Sequence, residues 1–311
     1  MQLVRGIHNL QPGHRGCVAT IGNFDGVHRG HQAILARLRE RSRALGVPGC
    51  VVIFEPQPRE FFAPDRAPAR LTRLREKLAL LAARDVDRVL CLIFNQRLRA
   101  LSAADYVHQV LVRGVGVRRL EVGDDFRFGC DRAGDFGFLR RAGAAEGFEV
   151  DEAATVEVAG ARVSSSRIRQ ALAAGDLPLA GLLLGRPYSI SGRVLHGQQL
   201  GRTIGAPTAN IQLGRLHPPL SGVFLVKTLV DGQPWPGVAN IGRRPSVHSD
   251  GRPHLEVHLL DFQGDLYGRS LEVTFLQRIR DEQRFPSLAA LQHAIATDIA
   301  SARAFWRAHP V

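Results

Sequence analysis

The sequence predicts two domains: an α/β domain on a mainly parallel sheet, then an antiparallel β-barrel with a C-terminal helix. Three observations carry this. In the first half, short apolar runs alternate with helical patterns, the rhythm of βαβ units. From Tyr188 onward the helical period disappears, and short strands separated by turns take over until Ser287. Between the two regimes, Gly185-Arg186-Pro187 breaks both patterns and reads as a hinge. The expected domains are therefore 1–183 and 184–311, and a chain of 311 residues gives each half room for its own core.

Composition excludes several classes. Hydrophobic residues make up 45% of the chain, with no apolar run long enough to span a bilayer. Residues 1–16 lack the apolar centre of a signal peptide. Cys17, Cys50, Cys91 and Cys130 are scattered without CxxC spacing, which suits structural thiols in a reducing cytoplasm. The net charge of +12 invites a nucleic-acid reading. Lys77 and Lys227 are the only lysines, however, and the arginines are dispersed without blocks or interleaved surface aromatics. Small anionic substrates account for the charge. We expect no nucleic-acid partner, no membrane partner, and a monomer or weak homo-oligomer.

The apolar run Cys17–Ile21 reads as a buried strand. A helix follows to about Leu45, with Ile34, Leu35 and Leu38 on one face and Gly46 and Pro48 ending it. Val51-Val52-Ile53-Phe54 is the next strand, and the prolines of Glu55-Pro56-Gln57-Pro58 forbid strand or helix beyond it. Leu74, Leu78 and Leu81 mark a helix, and a strand runs from Val89 to Phe94. Ser102-Ala103-Ala104-Asp105 resembles a capping box opening a helix with Tyr106, Val110 and Leu111 inward. Leu120-Glu121-Val122 is a further strand.

The strand-to-helix turn at 20–31 is where such a sheet presents its ligand site. Gly22, Gly26 and Gly30 allow a sharp turn and close approach of an anion to main-chain N–H groups. His28 and His31 share one side of the first helical turn, and two donors beside a positive helix end suit nucleotide phosphates. Taken alone, H-x-G-H is equally a glycine-rich turn with two surface histidines. Gly123-Asp124-Asp125-Phe126-Arg127-Phe128-Gly129 falls at another strand's carboxyl end. Its aromatics suit a flat ring and its acids a metal or sugar hydroxyl, or it is a turn with a small aromatic plug. Val163-Ser164-Ser165-Ser166-Arg167-Ile168-Arg169 opens a helix whose serines and N–H groups suit phosphate, with Arg169 as a bidentate donor. Alone it would be read as an N-cap with a surface arginine rather than a phosphate site. That helix ends near Gly175, and a leucine-rich helix spans Leu177–Leu184.

Together these segments resemble the adenylyltransferase half of bacterial FAD synthetases, Rossmann-like members of the HxGH nucleotidyltransferase superfamily. Val163 and Ser166 stand for Ile and Thr in that family's I-S-S-T-x-x-R motif. The resemblance implies catalytic roles for His28, His31 and Arg169. It implies ATP binding by Gly22, Phe24, Asp25, Gly30, Ser164 and Ser165, and flavin binding by Asp125, Phe126 and Phe128.

In the second half, Ile190-Ser191-Gly192-Arg193-Val194, Gly222-Val223-Phe224-Leu225-Val226, Leu255 to Leu260 and Leu271 to Leu276 read as strands, with a hairpin turn at Asp231-Gly232. From Ser287 to Trp306, Leu288, Leu291, Ile295 and Ile299 form the apolar face of a helix. Thr208 and Asn210 point the same way on an extended segment and offer hard oxygens to Mg²⁺. Glu256 and His258 share one strand face, which alone would be the wet side of an amphipathic strand.

This half resembles bacterial riboflavin kinase along nearly its full length. The matching segments include Gly201-Arg202-Thr203, Pro207-Thr208-Ala209-Asn210, Val238-Ala239-Asn240-Ile241-Gly242, Leu266-Tyr267-Gly268 and Arg280-Asp281-Glu282. Ala206 and Ser246 depart from the family's usual residues. The resemblance implies Mg²⁺ on Thr208 and Asn210, ATP at Gly201, Gly205 and Pro207, flavin at Arg280 and Phe285, and Glu256 as catalytic base.

The order of the halves is that of bifunctional bacterial riboflavin kinase/FMN adenylyltransferases. Riboflavin and ATP would give FMN, and FMN and a second ATP would give FAD. No G-x-x-x-x-G-K-[ST] loop occurs, so neither half is a P-loop kinase. Two other readings are an adenylyltransferase with a regulatory flavin-binding barrel, and an Arg-rich nucleic-acid-binding protein. Intact Thr208, Asn210 and Glu256 argue against the first.

Overall fold

Strands β1 (Gln2–Arg5), β2 (Cys17–Ile21), β3 (Gly49–Glu55), β4 (Arg88–Ile93), β5 (Val117–Val122) and β6 (Glu149–Glu152) form one sheet of order β1-β4-β3-β2-β5-β6. All its pairings are parallel. The computed structural model describes residues 1–123, 125–196, 206–214, 217–243 and 253–309. Gly201, Arg202, Thr203, Gly205 and Ser246 lie outside these described residues. By its contacts the chain divides into two units, Met1–Pro68 with Leu74–Val163, and Ala69–Arg73 with Ser164–Val311.

In the first unit the chain opens at the edge strand β1, passes to the central β2, builds outward through β3 to β4 beside β1, then returns to place β5 on the other side of β2. The order reverses there, so the crevice at the carboxyl ends of β2 and β5 is the topological switch point. Both the 20–31 turn and the 123–129 segment leave the sheet at these ends. α1 (Arg29–Leu45) follows β2 and stops at Gly46, whose φ is 62°. One face of the sheet packs a core around Ala19, Leu90, Leu120 and Leu139, and the other a core around Val18, Leu35, Leu38 and Leu81. Burial on both faces explains why β2 and β3 read as continuous apolar runs.

The remaining helices are α2 (Pro58–Phe62), α3 (Leu74–Ala82), α4 (Gln96–Arg99), α5 (Ala103–Tyr106) and α6 (Phe136–Glu146). Pro58 opens α2 instead of forbidding a helix, because at the first position its missing N–H has no partner to lose. Ser102 Oγ accepts from the Asp105 amide at 3.0 Å, and the helix continues as a π-helical stretch, Val107–Val115. Sequence reading missed the edge strands β1 and β6. They carry polar residues because only one side of each is paired, and Arg119 binds Asp151 to hold β6. A hairpin of β7 (Glu157–Val158) and β8 (Ala161–Arg162) completes the unit.

The second unit begins with α7 (Ser165–Ala174) and α8 (Leu177–Leu184). β9 (Ser189–Leu195), β10 (Ala209–Ile211), β11 (Gly222–Val230), β12 (Gln233–Arg243), β13 (Pro253–Leu259) and β14 (Ser270–Arg280) follow, then α9 (Leu288–Ala308). The strands close into an antiparallel barrel of order β10-β13-β12-β11-β14-β9. The start of β12 escapes a sequence reading because Pro234 and Pro236 interrupt it. Both precede Gly237, where the register with β13 begins, and the Pro236 carbonyl still accepts from the Leu260 amide at 2.9 Å, so the missing N–H groups cost little of the ladder.

α9 is capped by Ser287 as expected, and of the expected face Ile299 packs on the barrel while Leu288 turns outward. Leu288 is 63% exposed, while Ala302, Ile299, Phe305 and Trp306 pack on Val223, Leu225 and Val238 of the barrel. Residues 69–73 join this unit by backbone contacts. Tyr188 donates to the Leu71 carbonyl at 3.1 Å, Arg73 to Ser191 at 2.7 Å, and Arg169 to Ala69 at 2.5 Å.

Candidate functional site

The turn after β2 is tightly folded. Phe24, Asp25, Val27 and His28 are all buried. Phe24 and Val27 hold φ of 47° and 43°, a left-handed conformation that is strained for a β-branched residue. Gly26, at φ 84°, supplies the third such residue without strain. Gly22 and Gly30 serve another purpose, because their backbone angles are ordinary. A Cβ on Gly22 would meet the Phe24 ring at 3.3 Å, and one on Gly30 the His28 ring at 3.2 Å.

His28 is the N-cap of α1: its Nδ1 accepts from the His31 amide at 3.3 Å. A nitrogen that accepts carries no proton, so neutral His28 keeps its proton on Nε2, a donor. The two rings stack at 3.6 Å with planes 16° apart, and Phe24 lies 4.7 Å from His31. Burial, then the charges of His28 and the fully buried Lys77, hold the His31 imidazole well below its ordinary value. His31 is therefore neutral at neutral pH, with its Nδ1 enclosed and without a hydrogen-bond partner among the described residues. The pair forms a stacked surface beside a helix N-terminus, with His31 neutral.

At the end of β5, Phe126 and Phe128 stack at 5.6 Å, and Tyr106 and Phe138 enclose Phe128. Phe128 is 6% exposed and belongs to the core, which leaves Phe126 the more accessible ring. Asp125 is exposed and 3.5 Å from Arg162. Sequence reading passed over Tyr106 as a site neighbour; its hydroxyl is buried with no hydrogen-bond partner among the described residues. Burial also raises its pKa.

In the second unit, Ser164 caps α7, its Oγ accepting from the Arg167 amide at 3.2 Å, and Ser165 is the first helical residue. Arg169 is half-buried and ties the chain at Ala69.

On the barrel, Asn210 of β10 pairs in register with Glu256 of β13, and Glu256 pairs on its other side with Asn240 of β12. Directly opposed residues share a face, so the carboxylate stands between two carboxamides. Leu255 and Val257 turn the other way and are buried. His258 Nδ1 lies 2.9 Å from the Pro207 carbonyl, which fastens the Pro207-Thr208 segment to β13. Pro207 and Thr208 border a cavity that Val194, Phe262, Leu266 and Tyr267 also line. Arg280 is committed to Asp298 of α9, Nη2 to Oδ2 at 2.8 Å, and lies over the Phe285 ring at 5.5 Å. Among the described residues no group of three His, Cys, Asp or Glu side chains forms a metal cluster. A cation held by Thr208 and Asn210 would have oxygen ligands only, the set that suits Mg²⁺ already carried by phosphates.

Two family models match successive parts of the chain. The FAD synthetase family model matches residues 10–167, and the riboflavin kinase family model matches residues 184–306. The bifunctional riboflavin kinase/FMN adenylyltransferase of Pseudomonas fluorescens is 67% identical, covering 98% of this chain and 97% of its own. That of Escherichia coli strain K12 is 54% identical, covering 98% of both chains. A solved Streptococcus pneumoniae structure, described as a macrolide-efflux protein, superposes with a TM-score of 0.81 at 28% identity over 97% of this chain and 99% of its own. No helix among the described residues is long and apolar enough to cross a membrane.

Proposed function

The chain belongs to the family of bifunctional riboflavin kinase/FMN adenylyltransferases, and on that premise we propose how its residues divide the work. It is a riboflavin kinase and an FMN adenylyltransferase, with the kinase in the C-terminal part and the adenylyltransferase in the N-terminal part. Riboflavin, ATP and FMN are its substrates and FAD its product. We assign the kinase to 184–311 and the adenylyltransferase to 1–183.

In the kinase, the riboflavin 5′-hydroxyl attacks the γ-phosphorus of ATP in line and ADP leaves. Glu256 takes the hydroxyl proton. Its place in register between Asn210 and Asn240, on one face of the barrel, is the observation that carries this role. Thr208 and Asn210 would hold Mg²⁺, which supplies charge neutralisation at the phosphates. Gly201, Gly205 and Pro207 are assigned to ATP, and Arg280 and Phe285 to the flavin. Arg280 serves by steadying Phe285 while anchored to Asp298.

In the adenylyltransferase, an FMN phosphate oxygen attacks the α-phosphorus of ATP and pyrophosphate leaves. The nucleophile is already anionic, so no protein base is required. His28 and His31 stabilise the charge that builds on the phosphates. Gly22, Phe24, Asp25 and Gly30 shape that turn. Ser164, Ser165 and Arg169 are assigned to phosphate by their motif, and Asp125, Phe126 and Phe128 to the flavin.

All four cysteines are free thiols, which suits a reducing cytoplasm. The enzyme acts on small molecules, without nucleic acid or membrane, as a monomer or weak homo-oligomer. Chromatography after supplying riboflavin, ATP and Mg²⁺ tests the assignment: FMN should appear first and FAD after it. Chelation of Mg²⁺ should stop both. Activity undiminished by chelation would remove the metal from Thr208 and Asn210.

A further inference from the structure

Asn240 sits where no family motif gave it a role, and its chemistry is unspent. It is half-buried on β12, directly opposite Glu256, with Oδ1 enclosed and without a hydrogen-bond partner among the described residues. An enclosed amide oxygen without a donor costs free energy until a ligand supplies one. The occupant must therefore bring an O–H or N–H. An ATP phosphate brings only acceptor oxygens, which a carboxamide oxygen repels.

Three strands set the geometry. Asn210, Glu256 and Asn240 lie in one row across β10, β13 and β12, with about 4.8 Å between neighbouring strands. Thr208 and Asn210 stand on the β10 side of Glu256, the side assigned to Mg²⁺ and nucleotide. Asn240 stands on the opposite side. A polyol whose terminal hydroxyl meets Glu256 would carry its next hydroxyls toward β12, a strand spacing away.

We propose that Asn240 is a substrate-binding residue of the kinase, its Oδ1 accepting a hydrogen bond from a hydroxyl of the flavin's ribityl chain. This rests on the reading of the barrel as the riboflavin kinase. The hydrogen bond holds the chain so that the 5′-hydroxyl faces Glu256 and the γ-phosphate. It also distinguishes flavins bearing the polyol from the bare ring system.

The full-length chain is the material for the test, with Asn240→Ala and Asn240→Asp. Riboflavin KM, ATP KM and the inhibition constant of lumiflavin, which lacks the polyol, are measured in the kinase reaction. For Asn240→Ala, riboflavin KM should rise about tenfold, as for loss of one hydrogen bond. ATP KM, lumiflavin inhibition and adenylation of supplied FMN should stay as in the parent. Asn240→Asp keeps the acceptor, so riboflavin KM should stay within about threefold. Unchanged riboflavin KM in Asn240→Ala overturns the proposal, as does an equal loss for riboflavin and lumiflavin. If Asn240→Ala does not fold, a tenfold riboflavin KM rise in folded Asn240→Asp overturns it. A parent chain that makes no FMN would instead overturn the kinase reading beneath it.

Discussion

His28 and His31 stack ring on ring at 3.6 Å, and the cap that His28 gives to the His31 amide fixes its proton on Nε2. In the adenylyl transfer proposed above, the pair would act as oriented donors. His28→Ala and His31→Ala should each lower FAD formation by about two to three orders of magnitude, the usual cost of one charge-stabilising donor. FMN formation by the same preparations should continue. Product chromatography with riboflavin and with FMN as starting material separates the two effects.

Gly30 lies under the His28 ring, with 3.2 Å between that ring and a Cβ placed on the glycine. Gly30→Ala should displace the imidazole by a few tenths of an ångström. Adenylyl transfer should fall about tenfold or more, while the melting temperature stays close to the parent because helical alanine offsets part of the strain. A variant as active as the parent would show that the ring position is not critical.

Glu121 and His31 should give stability opposite dependences on pH. Burial raises the Glu121 carboxyl from 4.5 to about 7, against the opposing pull of Arg37, whose Nε is 3.4 Å away. Between those values the folded state binds the extra proton, so stability falls as pH rises from 4.5 to 7. Glu121→Gln should therefore stabilise the chain above neutrality, by about 2 kcal/mol, and much less at pH near 5. His31 has a lowered pKa, so its contribution is present above its unfolded value of 6.5 and is lost as pH falls below it. Urea unfolding of Glu121→Gln and His31→Ala beside the parent across this range reads the two slopes.

Arg169 donates through Nε to the Ala69 carbonyl at 2.5 Å, which aims the remaining guanidinium nitrogens. Lysine cannot hold a carbonyl and present a planar fork together. Arg169→Lys should cut FAD synthesis well beyond any change in melting temperature. Wild-type rates would reduce Arg169 to a tether of the 69–73 segment.

The six strands and α9 form a closed barrel with its own core, so the 184–311 fragment should fold, phosphorylate riboflavin and make no FAD. It lacks the bond from Tyr188 to Leu71 and that from Arg73 to Ser191. Its melting temperature should therefore be lower than that of the kinase unit in the full chain. Within it, Glu256→Gln should abolish most turnover while riboflavin still binds. Activity surviving that change would return Glu256 to the wet face of an ordinary strand.

The sequence by itself determined the βαβ rhythm, the change to strands after Tyr188 and the chemistry-bearing turns. Each is written in residues close along the chain, where periodicity, caps and glycine act locally. His28 and His31 were legible because they lie on one helical turn, and Thr208 and Asn210 because they alternate on one extended segment. Edge strands β1 and β6 were not, since half-paired strands need little apolar pattern. The tertiary structure decided which distant residues meet. Only strand register sets Glu256 between Asn210 and Asn240. Only packing commits Arg280 to Asp298 and turns Leu288 outward. A one-residue slip of β12 would leave every local motif intact and carry Asn240 to the other face, because neighbouring side chains on a strand alternate.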